Sequence, residues 1–284
     1  MKILITGSNG QLGSELRDIL ENDSRYETYF LDRKQLPLDH PMIIQDILGM
    51  YQPDLIVHAA AYTAVDKAES EPVLADAVNH LASEEIAQYC RLHGAKLIAL
   101  STDYVFDGNS DVALTEDTPV DPVNTYGLTK LKGEQAILKW HPESIVIRTS
   151  WVYSAYGNNF VKTMIRLMTE RDEISVINDQ IGSPTYAKDL ALAIVDIIEG
   201  EDWVGGLYHY SNEGEISWYD FATAIKEIKG LDCKINPIPT TQYPTPAKRP
   251  KYSLLDKSKI KRTFKVEVPN WRESLQKMLM AGGG

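Results

Sequence analysis

Short apolar runs alternate with amphipathic stretches through the first half of this 284-residue chain. The runs at residues 2–6, 27–31, 55–58, 96–101 and 144–149 are short and nearly all apolar, as strands buried on both faces tend to be. Helical periodicity lies between them, at 12–22, 41–51, 73–93 and 126–139. This β-α alternation predicts an α/β fold: a Rossmann-type, doubly wound parallel sheet over residues 1–150.

The second half is less regular. Helices are expected at 160–170, 188–199, 218–229 and 271–280. Pro and Gly cluster at 182–184, 205–206 and 237–250, and the last of these holds five of the fourteen prolines, so it reads as a long ordered loop or the edge of a lid. Residues 151–284 should form mainly a smaller α/β substrate lobe, with later segments returning to the first domain. The closing Gly282-Gly283-Gly284 reads as a frayed end.

Composition narrows the classes. Apolar residues make up 43% and charged residues 24%, which is ordinary for a globular protein. The formal net charge of −11 argues against nucleic-acid binding along a phosphate backbone. Cys90 and Cys233 stand alone and offer neither metal-ligand spacing nor a disulfide framework. No stretch is long and apolar enough to span a bilayer, and the N-terminus is a strand rather than a leader, so a cytoplasmic location is expected.

The strongest local motif is Thr6-Gly7-Ser8-Asn9-Gly10-Gln11-Leu12-Gly13, directly after the first strand and opening the first helix. Glycines at 7, 10 and 13 permit a tight turn and close approach of a pyrophosphate to a helix N-terminus. Dinucleotide binding is the expectation. At the end of the second strand, Asp32 would accept from adenosine ribose hydroxyls and favour NAD, whereas Arg33 would pair with a 2′-phosphate and favour NADP. Both NADPH and NADH therefore stay open.

Ser101-Thr102-Asp103 follows the fourth strand, at the edge where open α/β sheets bind ligands. Tyr126 and Lys130 lie one helical turn apart on one face. Hydride delivered to a ketone leaves charge on oxygen, so an acid must supply a proton. A tyrosine with an ordinary pKa of about 10 needs help near neutrality, and a nearby ammonium would lower it. Thr102 can donate to the same oxygen and orient it.

These blocks, with Tyr104-Val105-Phe106 and Tyr126-Gly127-Leu128-Thr129-Lys130, resemble the extended short-chain dehydrogenase/reductases that act on nucleotide sugars. Ala59-Ala60-Ala61-Tyr62-Thr63-Ala64-Val65-Asp66-Lys67-Ala68-Glu69, Arg148-Thr149-Ser150-Trp151-Val152-Tyr153, Asn178-Asp179-Gln180-Ile181-Gly182-Ser183-Pro184-Thr185 and Arg249-Pro250-Lys251-Tyr252-Ser253 narrow the match to members that reduce a dTDP-linked 4-keto sugar. The resemblance covers nearly the whole chain. It implies reduction of dTDP-4-dehydro-L-rhamnose to dTDP-L-rhamnose by NAD(P)H.

The resemblance also implies roles for residues. Thr102, Tyr126 and Lys130 would be catalytic, with Tyr126 the proton donor and Lys130 also on the nicotinamide ribose. Gly10, Gln11 and Leu12 would hold the pyrophosphate, Asp39 would lie near the adenine end, and Ala60, Ala61, Tyr62 and Thr63 would line the cofactor. Val65, Thr102, Asp103, Tyr104 and Trp151 would face the sugar nucleotide, unless Trp151 is core packing. Arg249 is either a diphosphate ligand or a surface arginine. Asn79 would be a structural polar residue near the site.

Dehydratases of this fold carry Thr-Asp-Glu where this chain has Thr102-Asp103-Tyr104, so the eliminating glutamate is missing. Family members are described as magnesium-linked dimers through acidic residues near the C-terminus. Here no carboxylate side chain follows Glu273, so no bound metal is expected, and the chain should be a monomer or weak homodimer. Two alternatives stay open: a reductase or epimerase of another 4-keto nucleotide sugar, and a non-catalytic NADP-binding regulatory subunit.

Overall fold

The computed structural model describes residues 1–281. The closing triple glycine therefore lies outside the described residues. The first half builds β1 (Lys2–Thr6), α1 (Gln11–Leu20), β2 (Glu27–Leu31), α2 (Ile44–Tyr51), β3 (Leu55–His58), α3 (Val65–Ala68), α4 (Pro72–Asp76), α5 (Ala82–His93), β4 (Lys96–Thr102), α6 (Thr125–Trp140) and β5 (Ile145–Thr149). The second half adds β6 (Val152–Tyr153), α7 (Phe160–Glu170), β7 (Glu173–Ile177), β8 (Ile181–Gly182), β9 (Thr185–Tyr186), α8 (Ala187–Glu199), β10 (Gly206–His209), β11 (Ile216–Ser217), α9 (Trp218–Lys229), β12 (Lys234–Ile238), α10 (Ser258–Phe264) and α11 (Trp271–Ala281). Among the described residues, no helix is long and apolar enough to cross a membrane.

Six strands form one sheet in the order β10-β5-β4-β3-β1-β2, and every neighbouring pair is parallel. Side chains alternate across it. Ile3 and Ile5 of β1 face a core closed by α1, α8 and α10, while Leu4 faces one closed by α2, α5 and α6. Burial on both faces is why these strands read as continuous apolar runs.

The central sheet draws on the second half of the chain. β10 pairs with β5, and α8 packs its Leu190, Ile194 and Ile197 into the core under α1. A separate core gathers Tyr153, Val161, Met164, Phe221, Ile225 and Leu275 from β6, α7, α9 and α11.

Several elements escape the sequence pattern. β6, β8, β9 and β11 have two residues each, too few for any periodicity. β12 carries Pro237, which weakens a strand reading, yet it pairs with β7 in parallel and takes in the start of the expected 237–250 loop. The helix expected at 73–93 begins at Pro72 and is interrupted by a π-helical turn at Ala77–Leu81. β4 runs one residue past its expected end and so carries Thr102.

One buried ion pair lies behind α6. Arg148 of β5 donates to both carboxylate oxygens of Glu134, at 2.9 and 2.7 Å, and the two side chains are 3% and 4% exposed. A pair this deep is costly to break singly, because the partner left behind stays charged and unpaired. Glu134→Leu is expected to lower stability by about 3–5 kcal/mol, whereas Glu134→Leu with Arg148→Met costs far less. Urea denaturation of the three proteins measures this.

Candidate active site

The carboxyl edge of the sheet opens into a cleft of about 970 Å³. Its floor is the turn between β1 and α1. Gly7 sits at φ +71°, and a Cβ there would come within 2.8 Å of the Ala60 backbone. Only glycine allows that conformation and that approach. No side chain among the described residues caps the N-terminus of α1, in contrast to α6, α7 and α9, which Asn124, Asn159 and Ser217 cap. An uncapped helix start facing a cleft leaves N–H groups and the positive dipole end for an anion, so these residues fit a pyrophosphate.

Of the expected cofactor residues, Gly7, Gly10, Gln11, Leu12, Asp32, Arg33, Asp39, Ala60, Ala61, Tyr62, Thr63, Tyr126 and Lys130 line this one cleft. Gly13 does not. A Cβ on it would lie 2.3 Å from the Gly7 carbonyl, so it serves the packing of helix on turn. Asp32 already accepts from the backbone N–H groups of Lys34 and Gln35, at 2.8 and 3.1 Å. Arg33 donates to Asp39 at 2.8 Å. Both discriminating groups thus stand at one rim, and neither cofactor is favoured by them.

Sequence reasoning missed the segment that covers the start of α1. Val152, Gly157 and Asn158 line the cleft. Gln11 donates to the Val152 carbonyl at 3.2 Å and accepts from Asn159 at 3.0 Å. Nothing in the local sequence of 152–159 advertises this tertiary contact.

Two contacts fix α6 at the cleft. Asn124 accepts from the Gly127 N–H at 2.7 Å and donates to the Lys248 carbonyl at 2.7 Å. Asn79, on the π-helical turn, accepts from the Tyr62 N–H at 2.8 Å and donates to Thr129 at 3.1 Å. Asn79 therefore ties the cofactor-facing loop to the helix of Tyr126 and Lys130, and π-turns often mark such sites. His58 is a polar core residue that sequence reasoning missed. It bridges Thr6 and Ser83 at 2.9 and 3.2 Å, and burial holds its pKa down at about 3, so it stays neutral.

At the candidate reaction centre, Thr102 ends β4, and the Tyr104 and Tyr126 rings meet edge to face at 5.7 Å. Lys130 donates to the Leu100 carbonyl at 2.7 Å. The expected lowering of the tyrosine by the lysine is not found. Burial pushes Tyr126 up to about 12, although the Thr102 hydroxyl beside it pulls the other way. Burial also holds the Lys130 ammonium down at about 8, against the pull of Glu134. The low-dielectric site disfavours both charges.

The expected sugar-facing residues divide. Val65 opens α3, and Tyr104 follows Thr102, both half-buried. Asp103, expected to face the sugar, is sealed beneath the surface. Trp151 does not line the cofactor cleft. It stacks on Trp218 at 3.7 Å, with a backbone φ of +48°, and stays partly exposed. Arg249 is neither a free surface arginine nor open to a ligand in this form: its guanidinium grips Asp66 at 2.9 and 2.8 Å.

A Rossmann sheet whose carboxyl edge joins a glycine turn to Thr102, Tyr126 and Lys130 defines the extended short-chain dehydrogenase/reductase class. Comparison with known proteins narrows this. The family model described as RmlD substrate binding domain matches residues 1–282. A dTDP-4-dehydrorhamnose reductase of Aggregatibacter actinomycetemcomitans is 40% identical, with 97% of each chain covered. A solved dTDP-4-dehydrorhamnose reductase of Clostridium acetobutylicum superposes with a TM-score of 0.95 at 38% identity, covering 99% of both chains. One from Bacillus anthracis, solved in complex with NADP, gives 0.94 at 40% identity, again over 99% of both. The chain belongs to the RmlD substrate binding domain family.

If the charged Lys130 is needed, the protonated form is lost as pH rises through about 8. Above that point this ionisation alone is then expected to add a loss of about tenfold per unit to the kcat/KM for carbonyl reduction, which reports the free enzyme. A pH–rate profile checks it, and a profile flat through pH 8 would remove the charge requirement.

Proposed function

We propose that this protein reduces dTDP-4-dehydro-L-rhamnose to dTDP-L-rhamnose with NADPH or NADH. The observation that carries the reading is that Tyr126 and Lys130 line the same cleft as the Gly7–Leu12 turn. The names of the curated relatives supply the sugar, and the missing glutamate after Thr102-Asp103 speaks against dehydration.

Bound reduced nicotinamide supplies the hydride. Gly10, Gln11 and Leu12 would hold the pyrophosphate at the N-terminus of α1, and Lys130 the nicotinamide ribose. Thr102 donates to the carbonyl oxygen and orients it. Tyr126 gives its phenolic proton to that oxygen, and the Lys130 ammonium then stabilises the phenolate left behind. Val65, Tyr104 and Trp151 face the sugar nucleotide. Arg249 would take the diphosphate after exchanging Asp66 for it. Residues 1–150, with α8 and β10 returning to them, bind the cofactor, and residues 151–284 mainly the sugar.

Adding dTDP-4-dehydro-L-rhamnose is expected to deplete reduced-nicotinamide absorbance; no depletion with either cofactor would sink the reading. Tyr126→Phe should lose about 10²–10⁴-fold in turnover with its melting temperature unchanged. A regulatory subunit would be indifferent to that change, and an epimerase would show no net oxidation of cofactor.

The acidic metal site described for the family does not fit this chain, because α11 carries Glu273 as its one carboxylate. We propose that any self-association is metal-independent. Light scattering with and without EDTA should give the same mass, and a chelator-sensitive dimer would refute this.

A further inference from the structure

Thr102 has one hydroxyl hydrogen, and it is contested. Its Oγ1 accepts from the Tyr104 N–H at 3.2 Å and donates to Asp103 Oδ1 at 3.1 Å. The Tyr126 phenol lies beside the same hydroxyl. A carbonyl substrate needs that hydrogen too. Against an ionised carboxylate, a neutral carbonyl oxygen is the weaker acceptor.

Asp103 is 1% exposed, and its Oδ2 is buried with no hydrogen-bond partner among the described residues. Thr102 hydrogen-bonds to its Oδ1, and the Ser253 side chain lies beside it. The titratable groups facing it are two phenols, Tyr104 on its own turn and Tyr126 on α6. Arg249 faces Tyr104 and is paired with Asp66, and no cation acts on Asp103. A buried carboxylate with free lone pairs and no counter-charge is costly, whereas the neutral acid is not.

We propose that Asp103 is a positioning residue that switches Thr102. As a neutral acid it donates to Thr102 Oγ1 and frees the Thr102 hydrogen for the carbonyl oxygen; as a carboxylate it withdraws that hydrogen. The inference rests on the reductase reading above. Asp103 keeps its proton through turnover, so no bond to it is made or broken in the reduction itself.

Burial holds the Asp103 carboxyl up at about 6, with Ser253 and Thr102 pulling it down. The active form is the acid, so its share falls as pH rises through about 6. Wild-type kcat/KM should therefore fall about tenfold per unit above that point, with the Lys130 limb adding to it near 8. Asp103→Asn stays neutral at every pH. It should lose the limb near 6, keep the limb near 8, and exceed wild-type kcat/KM at pH 8 by up to about a hundredfold. It should also melt at or above the wild-type temperature at pH 8, because the ionised Asp103 is the costly form there.

A variant that keeps the limb near 6, or that loses turnover at every pH while folded, would overturn the proposal. A readout free of turnover is the infrared difference between wild type and Asp103→Asn without substrate. It should contain a protonated-carboxyl band that disappears as pH rises through about 6, and the lack of such a band at acid pH also overturns the proposal. Should the wild type not turn over the dTDP-sugar, the reductase reading fails, and the infrared titration still decides the state of Asp103.

Discussion

The proposed reaction centre depends on how closely α6 approaches the turn that follows β4. A Cβ on Gly127 would lie 2.1 Å from the Tyr104 carbonyl, so any side chain there would push the helix away. Tyr126 is the preceding residue and Lys130 the next turn of the same face. The distance between helix and turn therefore sets the distance between the tyrosine and Thr102. Displacements of about 1 Å at such a site can cost about a hundredfold in rate, so one missing side chain is worth a great deal of positioning.

The rest of the molecule holds that approach from behind. Asn79 fastens α6 to the loop at Tyr62, Asn124 fastens its start to Lys248, and Glu134 fastens its second half to Arg148 on β5. Each link is a buried or half-buried polar contact between different elements of the fold. Polar groups in such places stabilise little on average, but they penalise every arrangement that leaves them unpaired. The helix therefore has one favourable seat. Its apolar contacts, through Leu131 and Ile137 to two different cores, would tolerate small slides that the polar contacts do not.

What was legible in the sequence follows the range of the physics that produced it. β1 and β3 fall on their expected residues because burial on both faces leaves a local apolar run, and β2, the half-buried edge strand, does so through its Tyr-Phe-Leu end. The glycine turn was legible because its geometry is solved within eight residues. The 152–159 cover over α1 was not, because it exists only through tertiary hydrogen bonds to Gln11. The Arg249–Asp66 grip joins residues 183 apart, and no pattern in either neighbourhood announces it. The sense of the pKa shifts was misread for a similar reason. Spacing places an ammonium near a phenol, but only the fold reveals how deeply both lie, and burial sets the direction of each shift.

A phenol held up by burial suits a proton donor better than one lowered toward neutrality. A tyrosine lowered toward neutrality would be partly ionised before any hydride moved, and an ionised phenol has no proton to give. Tyr126, held up at about 12, is protonated throughout the physiological range. An alkoxide forming on the substrate is far more basic than a carbonyl oxygen, so demand for the proton appears only as the hydride arrives. The same burial that raises the phenol lowers Lys130 to about 8, close enough to neutrality that a neighbouring negative charge recovers the ammonium. In the proposed reduction, a phenolate forming on Tyr126 is such a charge. The site thus disfavours separated charges at rest and favours the ion pair that the reduction creates, which is the preference a transition state with developing oxygen charge requires.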